Sequence, residues 1–219
     1  MPVIGTDAHL APVPAERLTA PSLRARFVAP PVWEPEIRGD GRMFEREPAH
    51  ASVLVPLVER PGGMRLLLTR RTDHLRDHAG QVSFPGGRAE DSDADVVDTA
   101  LREAEEEVGL ARSHVEVIGM LPVYTTVTAF SVTPVVAIVR PGFALALDDF
   151  EVAEAFEVPL DFLMNPANHH RHQVEFAGAT RQFLSMPWDG VDALGVPRRY
   201  FIWGATAAML RNFYRFLAA

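Results

Sequence analysis

Hydrophobic residues recur along the chain in two patterns, one typical of strands and one typical of helices. The apolar, β-branched run at 52–59 and the run at 64–71 flank a turn signal at 60–63, so we expect them to form a β-hairpin. Further runs of this kind lie at 115–124, 130–139, 151–164 and 174–188. The third of these ends in helical spacing, and the fourth reads as a second hairpin.

Residues 93–110 carry the clearest helical pattern. Its apolar positions recur at spacings of three and four: Val97, Ala100, Leu101, Ala104 and Val108. Ser92 or Asp93 can cap the start of this helix, and Gly109 can end it. A second helix is expected at 200–218, where apolar and aromatic residues occupy most faces.

Residues 1–48 contain many prolines and little sustained periodicity, apart from a short helix expected around Ser22 to Phe27. We expect this segment to be an arm that wraps a core or contacts a partner chain, with residues 49–219 forming the main domain. A mixed sheet with one helix after its second strand and another at the C-terminus predicts the α/β class, arranged as a sandwich.

Composition and charge argue against several classes of protein function. The chain has 219 residues, which suits one domain with extensions, and a formal net charge of −8, which repels a nucleic-acid backbone. It has no cysteine, so disulfides and thiolate metal sites are excluded. No run approaches the roughly 18 apolar residues that span a membrane, and no leader is seen. We therefore expect a cytoplasmic protein without nucleic-acid or membrane partners.

Three glutamates stand out in the predicted helix. Glu103, Glu106 and Glu107 share one helix face, where their like charges repel one another. A solvated acidic face is one reading, and oxygen ligands for Mg²⁺ or Mn²⁺ are the other. The loop ahead of the helix favours the metal, because Gly86 and Gly87 let the backbone approach an ion or phosphate closely.

The loop and helix together resemble the Nudix box, G-x5-E-x7-R-E-U-x-E-E-x-G-U, where U is aliphatic. Gly87 matches its opening glycine. The second half is filled without a gap by Arg102, Glu103, Ala104, Glu106, Glu107, Gly109 and Leu110. Asp93 stands at the position of the first glutamate, with eight rather than seven residues before Arg102, so we expect it to cap the helix or orient a neighbour.

This resemblance implies a metal-dependent pyrophosphohydrolase with an α/β/α sandwich. The implied ligands of Mg²⁺ or Mn²⁺ are Glu103, Glu106, Glu107 and the carbonyl of Gly87. Arg102 would hold a box glutamate in position. The base that accepts a proton from the attacking water is implied to be a box glutamate, Glu106 or Glu107, or a residue of a later loop, where Glu151 and Glu154 are the candidates.

The stretch from Leu67 to Gly87 resembles the coenzyme A pyrophosphatase signature, L-L-T-x-R-(S/A)-x3-R-x3-G-x3-F-P-G-G. It is matched at Leu67, Leu68, Thr69, Arg71, Arg76, Gly80, Phe84, Pro85, Gly86 and Gly87, with Thr72 in place of serine or alanine. The implied reaction cleaves coenzyme A or acyl-coenzyme A to 3′,5′-ADP and 4′-phosphopantetheine or its acyl form. Arg71, Arg76, Phe84 and Gly86 are the expected substrate contacts, since arginine binds phosphate in a forked geometry.

Two alternatives stay open at this point. One is a Nudix enzyme for ADP-ribose, a dinucleoside diphosphate or a nucleoside triphosphate, and the other is a non-catalytic Nudix module that binds a ligand. His169, His170 and His172 are interpreted as part of an exposed loop rather than a metal site. The aromatic series at 200–216 is interpreted as core or subunit interface, and the resemblance implies a homodimer.

Overall fold

The computed structural model describes residues 2–41, 47–74, 79–176, 179–192 and 194–219. Its helices are α1 (Ala20–Val28), α2 (Val96–Val108), α3 (Leu160–Leu163) and α4 (Gly204–Ala218). Its strands are β1 (Val3–Thr6), β2 (Ala49–Arg60), β3 (Gly63–Arg71), β4 (Val82–Ser83), β5 (Gly86–Arg88), β6 (Val115–Met120), β7 (Tyr124–Thr125), β8 (Phe130–Val139), β9 (Val152–Pro159), β10 (His170–Phe176), β11 (Ala179–Val191) and β12 (Pro197–Trp203).

The main sheet is mixed and is built around β2. This strand pairs antiparallel with β3 and β5 and parallel with β8, while β9 pairs with β3 and β6 with β8. Strand β2 is apolar on both faces, as expected for a strand covered on both sides. Leu54 and Val58 point to one side, and Val55 and Leu57 to the other.

Helix α2 covers one face of this sheet, because its buried Ala100, Ala104 and Val108 pack on Leu54 and Leu67. The second face meets a four-stranded antiparallel sheet, in the order β1-β10-β11-β12, together with α4. The prediction of the α/β class is confirmed. The predicted hairpins are confirmed as well, and so is the helix predicted at 93–110, which is α2 and follows β5.

The N-terminal segment is part of this packing. Strand β1 pairs with β10 at the edge of the four-stranded sheet, and Leu23 of α1 is fully buried in the main core. The Asp7 carboxylate lies 3.1 Å from Arg211 Nη1 of α4, and both side chains are buried. Residues of the predicted arm thus contact the rest of the molecule, and the division of the chain at residue 48 stays a proposal.

Two local predictions are wrong. Tyr200 to Trp203 form the end of β12 rather than the first turn of the last helix, which begins at Gly204. The histidines do not lie in an exposed loop: His169 and His172 are 0% and 2% exposed, and β10 begins at His170. His169 Nε2 donates to the Leu163 carbonyl at 2.7 Å.

The prediction of a core role for the aromatic series is confirmed at four positions: Tyr200, Phe213, Tyr214 and Phe216 are buried. Phe201 is 36% exposed. None of the helices in the described part of the chain is long and apolar enough to cross a membrane.

Candidate active site

A glycine pair brings the loop after β4 against the central strand. Gly86 has φ 153°, and a Cβ there would collide with the Ser52 carbonyl and come within 2.5 Å of the Val53 Cα. The short strand β5 can therefore pair with β2 only if residue 86 is glycine. This contact places the Gly86 amide directly over helix α2.

Helix α2 is fixed at both ends. The Asp95 carboxylate accepts from the amides of Val97 and Asp98, so Asp95 is the N-cap, and the prediction of Ser92 or Asp93 is wrong. Gly109 ends the helix in the left-handed conformation, with φ 67°, as predicted. The Asp148 amide donates to the Glu107 carbonyl at 2.9 Å, which ties the end of α2 to the loop before β9.

Arg102 organises the acidic residues on the outer part of the site. Its Nε donates to Asp93 Oδ1 at 2.8 Å, and its Nη1 donates to Glu103 Oε1 at 3.0 Å and Glu106 Oε2 at 2.8 Å. These contacts hold the pKa of the Asp93 carboxyl well below its usual range, chiefly through the hydrogen bond from Arg102. Asp93 is therefore an orienting residue, which confirms the second of its two predicted roles.

Glu107 is a buried residue of the site, at 6% exposed. Its Oε2 accepts from the Gly86 amide at 3.1 Å. The pKa of the Glu107 carboxyl is raised to about 7, chiefly by burial and also by the charges of Glu103 and Glu151, while the Gly86 amide and Arg71 oppose the shift. The raised pKa shows that the positive charge near Glu107 does not compensate for its burial and for its acidic neighbours.

The Glu103 carboxylate lies next to the backbone of Gly87. Burial raises the pKa of the Glu103 carboxyl, although Arg102 opposes the shift. A Cβ at Gly87 would come within 2.5 Å of Glu103 Oε2, so the glycine leaves the space that this carboxylate uses. The backbone of residue 87 and the Glu103 carboxylate are thus close neighbours, as a ligand role for both requires.

Arg71 and Glu151 complete the cluster from the end of β3 and the loop before β9. Arg71 Nη1 lies 3.7 Å from Glu107 Oε1, and its Nη2 lies 3.7 Å from Glu151 Oε2. Both distances exceed that of a good hydrogen bond. Within the described part of the chain, the buried Arg71 Nε and Ser52 Oγ have no hydrogen-bond partner. Polar groups for a ligand are therefore available on this face.

Glu154 and Phe84 are not brought to this cluster. Glu154 lies in β9 rather than in a loop, so that part of the prediction is wrong. Its carboxylate accepts from Tyr200 and from Arg198 Nη1 at 2.9 Å, on the side that faces the four-stranded sheet. Phe84 is 3% exposed and packs in the core on that same side. Arg76 lies outside the described residues.

The donor set fits a divalent cation. Glu103, Glu106 and Glu107 supply the carboxylate oxygens that Mg²⁺ and Mn²⁺ prefer, next to the backbone of Gly87. Among the described residues no three acidic or histidine side chains are already gathered around one point. Glu106 would have to turn from Arg102 toward the ion, and its side chain is 60% exposed, which leaves it free to do so.

Two residues at the site, Ser52 and Thr72, were not expected from the sequence. Ser52 lies in an apolar strand, and only its pairing with Gly87 brings it to the site. Thr72 stands where the signature has serine or alanine, and its hydroxyl donates to the Phe150 carbonyl at 2.8 Å. The match of Thr72 to a signature position could have identified it as a residue of the site. No feature of the sequence identifies Ser52.

An acidic helix behind a glycine loop, on an α/β sheet, defines the class of a metal-dependent phosphohydrolase. The NUDIX domain profile matches residues 48–177. A Shigella flexneri serotype 5b protein named "Uncharacterized Nudix hydrolase NudL" is 44% identical over 172 residues, covering 77% of this chain and 84% of the relative. A protein of that name from Escherichia coli O1:K1 / APEC is 44% identical over 162 residues, covering 74% and 79%. The chain belongs to the Nudix family and is a Nudix pyrophosphohydrolase.

Solved structures of Nudix proteins are also similar. A Caenorhabditis elegans Ap4A hydrolase binary complex has a TM-score of 0.45 and 18% identity, covering 53% of this chain and 85% of that chain. A MutT/nudix family protein from Enterococcus faecalis has a TM-score of 0.46 and 16% identity, covering 80% and 64%. The NUDIX domain of Shewanella oneidensis NrtR, crystallised with ADP ribose, has a TM-score of 0.41 and 18% identity, covering 62% and 82%. Family membership rests on the profile and the NudL relatives.

Proposed function

We propose that this enzyme hydrolyses the diphosphate of coenzyme A or acyl-coenzyme A, giving 3′,5′-ADP and 4′-phosphopantetheine or its acyl form. The observation that carries the proposal is the position of Arg71. This signature arginine points to the α2 face of the main sheet and lies 3.7 Å from both Glu107 and Glu151, with a buried Nε that has no partner among the described residues.

The chemistry of the substrate suits this arrangement. Coenzyme A carries a 3′-phosphate in addition to its diphosphate, so its recognition requires cationic groups beside an acidic metal site. A guanidinium can give two parallel hydrogen bonds to phosphate oxygens. Arg71 makes no short contact with its carboxylate neighbours, so its donors can turn to the substrate without breaking a strong bond.

A divalent cation held by Glu103, Glu106 and Glu107 would neutralise the diphosphate, lower the pKa of a bound water and stabilise charge on the leaving phosphate. The residues of the chain then have separate tasks. Arg102 fixes Asp93 and Glu103, and Gly86 fixes Glu107.

Glu151 is the proposed base. Its carboxylate lies beside Arg71 and within electrostatic reach of both Glu103 and Glu107. In the reaction, the water oxygen forms a bond to one phosphorus and the bridging P–O bond breaks, so the oxygen of the leaving phosphate takes up the electron pair. The proton of the water passes to Glu151. A box glutamate is the alternative acceptor, and comparison of Glu151 variants with box variants separates them.

The test is mass spectrometry of the products after separate incubation with coenzyme A, acetyl-coenzyme A, ADP-ribose and NADH, each with and without Mg²⁺ or Mn²⁺. We expect 3′,5′-ADP from the first two substrates, only when a cation is present. Cleavage of ADP-ribose or NADH alone would contradict the choice of substrate. A cytoplasmic location and a homodimer stay predictions from the sequence.

Arg71→Gln provides the matched test of the arginine. We expect it to raise the KM for coenzyme A by about tenfold or more, since a charged hydrogen bond to phosphate contributes roughly 1.5–3 kcal/mol. Arg65→Gln, on the same strand with its guanidinium near Glu157, is the control. Equal KM values for the wild type and Arg71→Gln would remove Arg71 from the substrate site.

A further inference from the structure

An exposed aromatic ring stands beside the carboxylate site. Phe150 is 65% exposed, whereas the adjacent Glu151 reaches Arg71 at 3.7 Å. A phenyl ring left in water forgoes the free energy that it would gain by packing against another apolar or planar surface. A single exposed ring is common on protein surfaces and does not by itself indicate a binding role. The position of Phe150 relative to the site, and how firmly its backbone is held, are the evidence for such a role.

The backbone that carries this ring is held by four hydrogen bonds. The Phe150 amide donates to Asp148 Oδ1 at 2.9 Å, and the Glu151 amide donates to the Asp148 carbonyl at 3.0 Å. Thr72 directly follows β3. Its hydroxyl donates to the Phe150 carbonyl at 2.8 Å, and its amide donates to the Glu151 carbonyl at 3.0 Å. Thr72 thus holds the backbone of both Phe150, which carries the exposed ring, and Glu151, the proposed base.

Among the described residues, one aromatic ring lies beside Phe150. The His74 ring meets Phe150 edge-on, with centroids 5.0 Å apart and an interplanar angle of 61°. Most of the Phe150 surface stays open to solvent. Because the ring is positioned before a ligand binds, a planar ligand would stack on it without the cost of ordering a loop.

We propose that Phe150 stacks the nucleobase of the nucleotide substrate. In a nucleoside diphosphate derivative, one ribose separates the base from the phosphates, and Phe150 is one residue from Glu151 at the phosphate site. Asp149, which is exposed beside the ring, can accept a hydrogen bond from an exocyclic amino group of the base. Every base offers a flat face for stacking. The pantetheine arm has no planar ring and gains less from this platform.

The stacking role rests on the proposed function, because it requires a nucleotide as substrate. Inhibition by each of the two products, measured separately, tests it. Only 3′,5′-ADP carries the base, and 4′-phosphopantetheine does not. In Phe150→Ala we expect the inhibition constant of 3′,5′-ADP to rise about tenfold, while that of 4′-phosphopantetheine stays within about twofold. Phe150→Tyr keeps the ring and should stay within about threefold of the wild type. Phe201→Ala, which removes an exposed ring on the four-stranded sheet, is the matched control.

Thr72 tests the positioning of the ring. Thr72→Val keeps the shape but removes the hydroxyl that binds the Phe150 carbonyl, so we expect it to weaken 3′,5′-ADP binding, whereas Thr72→Ser keeps wild-type binding. A role confined to stability would leave the inhibition constant of the folded Thr72→Val protein unchanged.

Calorimetric titration with AMP separates this inference from the proposed function, since it needs no turnover. If the wild type fails to hydrolyse coenzyme A but binds AMP in a manner that depends on Phe150, the substrate proposal fails and the stacking role stands. Wild-type binding of AMP and 3′,5′-ADP by Phe150→Ala would overturn the stacking role. A loss confined to 4′-phosphopantetheine, or no binding of AMP by the wild type, would overturn it as well.

Discussion

Two arginines, Arg102 and Arg71, contact different acidic side chains of the site. Arg102 holds Asp93 and Glu106 by short hydrogen bonds, while Arg71 stands at 3.7 Å from Glu107 and Glu151. The first arginine is saturated by carboxylates and fixes the helix face. The second keeps donors for a ligand, which is why we assign it to the substrate.

We expect Glu106→Gln and Glu107→Gln each to lower kcat by about a hundredfold or more, which corresponds to roughly 3 kcal/mol of transition-state stabilisation. Each change removes a charged oxygen from the proposed metal ligands. The control is Glu105→Gln on the same helix, since Glu105 is exposed and its carboxylate lies 3.6 Å from Arg112. Near-normal turnover in either variant, with circular dichroism unchanged, would exclude that residue from the metal site.

Glu151 and Glu154 should behave in opposite ways. Glu151→Gln is expected to lower kcat with little change in stability, because its side chain is partly exposed at the site. Glu154→Gln is expected to lower the free energy of unfolding by about 1–3 kcal/mol while kcat stays within about threefold, because Glu154 is a buried acceptor for Tyr200 and Arg198. Urea unfolding and steady-state kinetics on both variants check this, and a large fall of kcat in Glu154→Gln would refute it.

The sequence predicted those parts of the site that depend on the spacing of residues within one element. The shared face of Glu103 and Glu107 follows from the helix repeat alone. The distance of Glu154 from the site does not, because it depends on the register between two strands: Glu154 of β9 pairs with Arg70 of β3, and Val152 pairs with Arg71. Local spacing does not determine which residues of distant strands pair.

At the scale of elements, the site depends on how closely β5 approaches β2 and α2. Gly86 faces the backbone of β2, whereas Gly87 faces the end of a side chain, the carboxylate of Glu103. Backbone atoms of a central strand cannot move aside without disturbing the sheet, but a carboxylate can rotate. The two neighbouring glycines therefore serve different purposes, one for the fold and one for the site.

Alanine substitutions separate these purposes. Gly86→Ala should lower the free energy of unfolding by more than about 2 kcal/mol, because its Cβ meets the backbone of Ser52 and Val53. Gly87→Ala should cost less than about 1 kcal/mol of stability but lower kcat by about tenfold or more, because it displaces Glu103. Chemical denaturation and kinetics measure both. Full activity in Gly87→Ala would show that the Glu103 position is not critical.

Elements with a strong local pattern were predicted well, as α2 and the β2–β3 hairpin show. The wrong predictions concern segments whose structure is determined by pairing with residues far away in the sequence. Tyr200 to Trp203 look helical in an aromatic segment, yet Tyr200 pairs with Trp188 and Trp203 with Ser185 in the four-stranded sheet. The histidines look like a polar loop, yet the pairing of β10 with β1 and β11 buries His172.

At the scale of the whole molecule, a buried charged network joins the N-terminal segment to the second sheet and to α4. Arg171 binds Asp7 in a bidentate pair, and Arg211 binds Glu36 at 2.7 Å. Arg211 Nη1 also lies 3.1 Å from His169 Nδ1, so the ring accepts there and donates from Nε2 to Leu163. Both ring nitrogens are used by the neutral form of His169.

This network predicts a loss of stability in acid. Burial lowers the pKa of His169 to about 4, below its ordinary value of 6.5. The unfolded chain therefore binds a proton at His169 more readily than the folded chain does. The contribution of neutral His169 to the free energy of unfolding is complete above pH 6.5. It declines by up to about 3 kcal/mol as the pH falls toward 4. Urea unfolding from pH 7 to 4 should show a shallower decline in His169→Gln than in the wild type, and parallel curves would contradict this account.

The preference of the enzyme among diphosphate substrates is measured most directly by a competition between them. Coenzyme A, ADP-ribose and NADH at equal concentration compete for the enzyme in one reaction with Mg²⁺ or Mn²⁺, so the initial rates of product formation give the ratios of kcat/KM. We predict that 3′,5′-ADP and 4′-phosphopantetheine accumulate first and that Arg71→Gln reduces this preference. Earlier accumulation of AMP from ADP-ribose or NADH would contradict the claim.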